Sequence, residues 1–163
     1  MICEVLQKES NVLRMKCERV VNFDVVQRVI DNLLDTIVNL KTIYEFKRGI
    51  GLSAPQIGEV VRISVAEFDN NTYILVNPEI IETANVKKPV WEGCISFFEY
   101  RAYVPRYDYA KIKAFDRNGN EYIVEGHGDY AMLLQHELDH LDGILYFDYL
   151  PNGEADLILS KKV

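Results

Sequence analysis

The chain has no run approaching the roughly 18 apolar residues that a membrane-spanning helix requires, although 48% of its 163 residues are hydrophobic. Its N-terminal stretch, MICEVLQKESNVLRMKCERV, carries charges where a secretory signal needs an apolar core. Cysteine is scarce. Cys3, Cys17 and Cys94 are an odd number at irregular spacing, which argues against a disulfide framework and suits a reducing compartment. Positive charge is short as well. Lysine and arginine number 18 against 25 acids, for a net charge of −7, which disfavours nucleic-acid binding as the main activity and binding to an anionic membrane. Repeats, low-complexity tracts and an interdomain linker are all lacking. The expectation is one soluble, cytoplasmic domain over residues 1–163, with enough apolar side chains for a core.

What is present reads as helix, strands, then a second helix. From Asp24 to about Lys47, Val26, Ile30, Leu33, Ile37, Leu40 and Tyr44 recur at three- and four-residue steps. This predicts a scaffold helix with one apolar stripe and Asp24 as its N-cap. RGIGLSAPQIGEV, rich in glycine, then reads as a loop or short irregular edge segment. VRISVAEF, TYILVNPEII, YAKIKAFD and NEYIVEG have the β-branched and aromatic texture of strands. Asn118-Gly119 predicts a tight hairpin turn between the last two. A second helix is expected from Asp129 to Leu141, with Gly143 ending it.

That helix holds the sequence's strongest chemical signal. In LLQHELDHLDG, His136 and His140 are four residues apart, so both imidazoles can aim at one point from one helix face. Glu137 points about a quarter turn away, where a base can take a proton from a metal-activated water without occupying a coordination position. His127, the remaining histidine, precedes the helix and has no chemical role assigned.

A catalytic centre needs a third protein ligand. Downstream, the pattern HExxHxxGxxH would require a histidine where Tyr146 stands, and Glu154 lies in PNGEAD, a stretch without helical pattern. Upstream, Cys94 follows a glycine just after an expected strand. A thiolate is a strong ligand for Zn²⁺ or Fe²⁺. The same cysteine could equally be a buried structural thiol or a nucleophile paired with histidine.

Three segments, in this order and at these separations, carry a resemblance: GIGLSAPQIG at Gly49 to Gly58, EGCIS at Glu92 to Ser96, and QHELDH at Gln135 to His140. They resemble the signature motifs of peptide deformylases, metal hydrolases that remove the N-formyl group from nascent polypeptides. ESNVLRMKCERV, LVNPEI, YRAYVPR and HLDGILYFDYL extend the likeness over most of the chain.

The resemblance implies an α+β fold, with short antiparallel strands packed around a central metal-binding helix and an N-terminal scaffold helix. It implies Cys94, His136 and His140 as ligands of one divalent ion, Fe²⁺ in the cell, with Zn²⁺, Ni²⁺ or Co²⁺ able to occupy a purified protein. Glu137 becomes the proton carrier, while the Gln56 side chain and the Ile95 N–H become donors to the formyl oxygen. Ile50, Gly51 and Gly93 are expected along the peptide backbone, Arg101 near its path, and Met132 and Leu133 at the methionine side chain. Formylated nascent peptides are the implied partners. The segment from Pro151 onward holds Glu154, Asp156, Lys161 and Lys162, and a tail of balanced charge has little electrostatic reason to bind ribosomal RNA.

Three positions depart from the family pattern. Ser53 stands where alanine is commoner, a change expected to be tolerated. Phe98 replaces a frequent proline, and Asp129 occupies a position that is usually apolar and near the side-chain pocket.

Overall fold

The computed structural model describes residues 1–24 and 26–160. Helix α1 spans Gln27–Ile43 and buries Val29, Ile30, Leu33, Ile37 and Leu40 along one stripe, as the three- and four-residue spacing predicts. It starts later than expected. Asp24 does not cap it; the Asp24 N–H instead donates to Asn22 Oδ1 in the preceding turn. The helix also stops earlier, because Tyr44 is extended (φ −130°) and its ring packs 4.4 Å from that of Phe98. Residues 44–48 thereby become a loop beside the later cavity.

Strands β1 (Ile50–Ser53), β2 (Ile63–Phe68), β3 (Asn71–Thr83), β6 (Tyr109–Phe115) and β7 (Glu121–His127) form an antiparallel sheet in the order β1-β2-β3-β6-β7. The glycine-rich segment expected as a loop or edge is thus an edge strand followed by a 3₁₀ turn, Ala54–Ile57. Between β6 and β7, Gly119 is left-handed (φ +83°) and its N–H donates to the Asp116 carbonyl. This is a short hairpin with glycine at the position that needs positive φ. At the bulge in β3, Asn77 clamps the N-terminal segment, accepting from the Val20 N–H and donating to its carbonyl.

The two faces of this sheet explain why β2 is apolar on both sides. Ile50, Leu52, Ile63, Val65 and Val76 pack with the α1 stripe. Ala66, Leu75, Ala110, Ile112 and Val124 pack with Leu133, Leu134 and Leu138 of α2, Asp129–Leu141. The period of two along β1 therefore turns Ile50 and Leu52 toward α1, and Gly51 and Ser53 toward α2. Helix α2 has the limits expected from the sequence, and left-handed Gly143 (φ +71°) follows it.

A second, three-stranded sheet has the order β4-β5-β8, built from Lys87–Gly93, Tyr100–Tyr107 and Ile158–Leu159. Strand β5 was not expected from texture, yet Ala102, Val104 and Arg106 alternate inward. Leu13, Cys94, Phe97, Leu145, Tyr146 and Phe147 complete the core beneath this sheet. Lys161 and Lys162, the basic residues of the tail, lie outside the described residues. No described helix is long and apolar enough to cross a membrane.

Candidate active site

Helix α2 delivers two imidazoles to one point. His136 Nε2 and His140 Nε2 are 3.1 Å apart, and Cys94 Sγ lies 3.3 Å from His140 Nε2. A tetrahedral ion with bonds of about 2.1 Å to nitrogen and about 2.3 Å to sulfur would hold such donors about 3.4 to 3.6 Å apart, so the trio is near ligating distance. All three side chains are buried, and their donor atoms lie within 4.8 Å of one another. One soft sulfur and two nitrogens suit Zn²⁺, Fe²⁺, Co²⁺ or Ni²⁺ better than a hard cation. The residues present fit a metal.

Each ligand candidate is oriented by its surroundings. Cys94 leaves the end of β4 extended (φ −137°) and precedes the 3₁₀ turn Ile95–Phe97. His136 Nδ1 contacts Glu92 Oε1 at 2.6 Å, which leaves Nε2 to face the other donors. His140 Nδ1 is buried without a partner among the described residues, so that ring also engages through Nε2. Burial disfavours a charged His136, but the neighbouring Cys94 and Glu92 outweigh it and hold the group well above its usual pKa. Burial, then the charge on His136, pushes His140 well below its own.

Glu92 is the centre of a buried network absent from the sequence reading. Arg106 Nε and Nη2 donate to its two oxygens at 2.8 and 2.7 Å. Arg106 Nη1 reaches Asp139 at 2.6 Å, and Tyr149 donates to the other Asp139 oxygen at 2.8 Å. Burial alone would raise the Glu92 pKa, yet Arg106 and His136 bring it down to about 2. The available signal was the alternation in β5, which turns Arg106 inward beneath β4.

Glu137 is buried beside the trio, with Oε2 at 2.6 Å from Ser53 Oγ. Burial is the chief cause that pushes its carboxyl up to about 7, moderated by His136 and by the Ser53 hydrogen bond. The carboxylate also fills the space over Gly51, where a Cβ would meet Oε1 at 2.2 Å. Gln56 is turned by its own backbone surroundings. Its Oε1 accepts from the Ser53 N–H at 2.8 Å, and Nε2 lies 3.2 Å from Ser96 Oγ and 3.7 Å from Cys94 Sγ.

A cavity of about 430 Å³ opens over these groups. Ile50 and Gly51 of the β1 edge line it, as do Gly93, Ile95 and Gln56, with Met132 and Leu133 one turn before His136. Arg101 lines it too, without a salt bridge among the described residues; its guanidinium donates to the Phe98 and Tyr100 carbonyls. That side chain lies over Gly93, where a Cβ would meet Arg101 Cδ at 2.3 Å. His140 sits behind the wall, buried but not lining the cavity. Residues 45–49, Trp91, Phe98 and Ser160 complete the lining and were given no substrate-binding role from sequence.

The remaining candidates fall elsewhere. Tyr146 is buried in the core and donates to the Tyr100 carbonyl, and Glu154 is at the surface with Lys8, so neither joins the donor group. His127 packs against Tyr109 with ring centroids 4.8 Å apart, away from the trio. Asp129 lies near the cavity without lining it. At the first turn of α2 it pairs with Arg48 at 3.4 Å, and Arg48 is the lining residue. Ser53, expected to be a tolerated replacement for alanine, touches Glu137.

A model of the family described as Polypeptide deformylase matches residues 2–156. Peptide deformylase from Heliobacterium modesticaldum is 40% identical over 156 residues, covering 95% of this chain and 98% of that protein. Peptide deformylase 1 from Vibrio vulnificus is 36% identical over 163 residues, covering 98% and 93%. The crystal structure of a peptide deformylase from Legionella pneumophila superposes with a TM-score of 0.84 at 33% identity, covering 95% of this chain and 90% of that one. Likeness in sequence and fold that runs through the strands and the helix around the cavity means that the chain belongs to the peptide deformylase family.

Proposed function

We propose that Cys94, His136, Glu137, His140 and Gln56 are the groups through which this enzyme removes the N-formyl group from formylmethionine at the start of nascent polypeptides. The observation that carries the reading is the convergence of one sulfur and two imidazole nitrogens beside a buried glutamate, under a cavity of about 430 Å³. Cys94, His136 and His140 would hold one divalent ion, Fe²⁺ in the cell, with Zn²⁺, Ni²⁺ or Co²⁺ in its place in a purified protein. When bound, such an ion supplies Lewis acidity toward a carbonyl oxygen and toward water.

The chain's own residues do the rest. Glu137 accepts a proton from the attacking water as its oxygen bonds to the formyl carbon, and returns that proton to the amine nitrogen as the C–N bond breaks. The products are formate and a free N-terminus. Gln56 Nε2–H and the Ile95 N–H donate to the formyl oxygen as negative charge develops there. Ile50 and Gly51, on the unpaired edge of β1, take the peptide backbone as an added strand, with Gly93 across from them. Met132 and Leu133 contact the methionine side chain, and Arg101 borders the peptide path. One catalytic domain over residues 1–163 carries this work in the cytoplasm, with little ribosome docking through the tail.

Formate release from formyl-Met-Ala-Ser, run beside a casein digest with Fe²⁺ or Ni²⁺ protected from oxygen, tests the reading. Formate with intact casein is the expected outcome. Cleaved casein would indicate an endopeptidase, and neither product a protein that binds metal without turnover.

A further inference from the structure

We propose that the Ser53 hydroxyl is a positioning residue for deformylation, holding the Glu137 carboxylate in its working orientation. The inference rests on the reading of Glu137 as proton carrier. It begins with the strand period: Gly51 and Ser53 share the face of β1 turned toward α2. Gly51 leaves room for the carboxylate, whose Oε1 occupies the place of a missing Cβ. Two residues on, Ser53 Oγ meets Oε2 at 2.6 Å. Ser53 and Ser64 are fully buried and Glu137 is 2% exposed.

The direction of this hydrogen bond follows from counting protons. Ser53 Oγ has three neighbours: Glu137 Oε2 at 2.6 Å, Ser64 Oγ at 2.7 Å and the Glu137 carbonyl at 3.0 Å. It has one proton to give. An ionised carboxylate only accepts, and 2.6 Å is the length expected of a hydroxyl donating to a charged oxygen. Ser64, the register partner of Ser53 across β1 and β2, then donates to Ser53. With Glu137 ionised, the state in which it can take a proton from water, the chain Ser64 to Ser53 to Glu137 has one sense. Among the described residues no other side chain donates to this carboxylate.

The same residue holds a second group of the reaction, since its N–H binds Gln56 Oε1 and turns the amide nitrogen toward Cys94 and Ser96. Alanine would keep that backbone contact and lose the hydroxyl. Ser53 does not line the cavity, so it acts through Glu137.

The test compares Ser53→Ala, Ser53→Cys and Ser53→Thr in the Ni²⁺-loaded enzyme with formyl-Met-Ala-Ser, reading kcat, KM and metal content. Ser53→Ala is expected to lower kcat about 10- to 100-fold, with KM within about twofold and full metal content, because misplacing a reacting group costs rate more than binding. Ser53→Cys fills the volume but donates weakly, so it should lose a similar factor even where the alanine variant folds poorly. Ser53→Thr keeps the hydroxyl and should retain most of kcat. In a Glu137→Gln background, Ser53→Ala should change the residual rate no further. An unchanged kcat for both Ser53→Ala and Ser53→Cys, or an undiminished loss in the Glu137→Gln background, overturns the assignment of Ser53 alone. Full turnover by Glu137→Gln itself would overturn the proton-carrier reading and this inference with it.

Discussion

Glu92 Oε1 lies 2.6 Å from His136 Nδ1 while Arg106 grips both oxygens of the same carboxylate. A buried ion pair thus sets which nitrogen of a candidate ligand faces the cavity. Such outer partners fix the ring orientation of metal-binding histidines, and removing one typically costs about 10- to 100-fold in metal affinity.

The same carboxylate makes stability depend on acid. Its folded pKa of about 2 lies below the ordinary 4.5, so its contribution is complete above about pH 4.5 and is lost as pH falls toward 2. The amount is on the order of 3 kcal/mol. Urea unfolding of wild type and Glu92→Gln between pH 5 and 2 should show this decline in the wild type and a flatter slope in the variant. Parallel slopes would mean that the pair does not hold Glu92 ionised in the folded state.

Cys94→Ala should lower metal content, because it removes the only sulfur from the donor trio. Glu137→Ala should keep the metal and abolish turnover, because Glu137, proposed as the proton carrier, stands beside the donor trio and is not part of it. Elemental analysis together with formate release checks both. A folded Glu137→Ala protein without metal would contradict this division of roles.

Gly51→Ala puts a Cβ 2.2 Å from Glu137 Oε1 and 2.5 Å from its Cδ. The backbone there allows alanine, so the fold should survive, but the carboxylate must move. The expected loss in kcat is about 100-fold, with an unchanged circular dichroism spectrum. Turnover within a factor of about two of wild type would show that Glu137 works from another orientation.

Truncation after Gly153 removes β8, which pairs with β5 at Tyr100 and Arg101, removes Leu157, which packs against the core beneath that sheet, and takes Ser160 from the cavity wall. Loss of about 1 to 2 kcal/mol should lower the melting midpoint by about 3 to 8 °C. Sedimentation with ribosomes at low salt should be weak for both the intact and the shortened protein. Strong co-sedimentation that disappears on truncation would show that the tail docks despite its balanced charge.

The parts of the site legible from residue order are the local ones. His136 and His140 share a face because helical spacing is a property of the chain itself, and the limits of α2 came out as expected for the same reason. The stripe of α1 was legible, whereas its ends were not, because Tyr44 leaves the helix to pack on Phe98, far along the chain. Cys94 as third donor needed the family resemblance, since nothing near it in sequence distinguishes a ligand from a buried thiol.

Residue order by itself determined the helix that carries His136 and His140, and the texture of most of the strands. Tertiary structure alone decided who orients the side chains of that helix. Ser53 reaches Glu137 across 84 positions, and Glu92 reaches His136 across 44. These contacts arise because β1 and β4 approach α2 from two sides, each turning alternate residues inward. Such pairings depend on sheet register and burial, in which one short side chain such as serine can replace alanine without changing any local pattern and still acquire a charged partner.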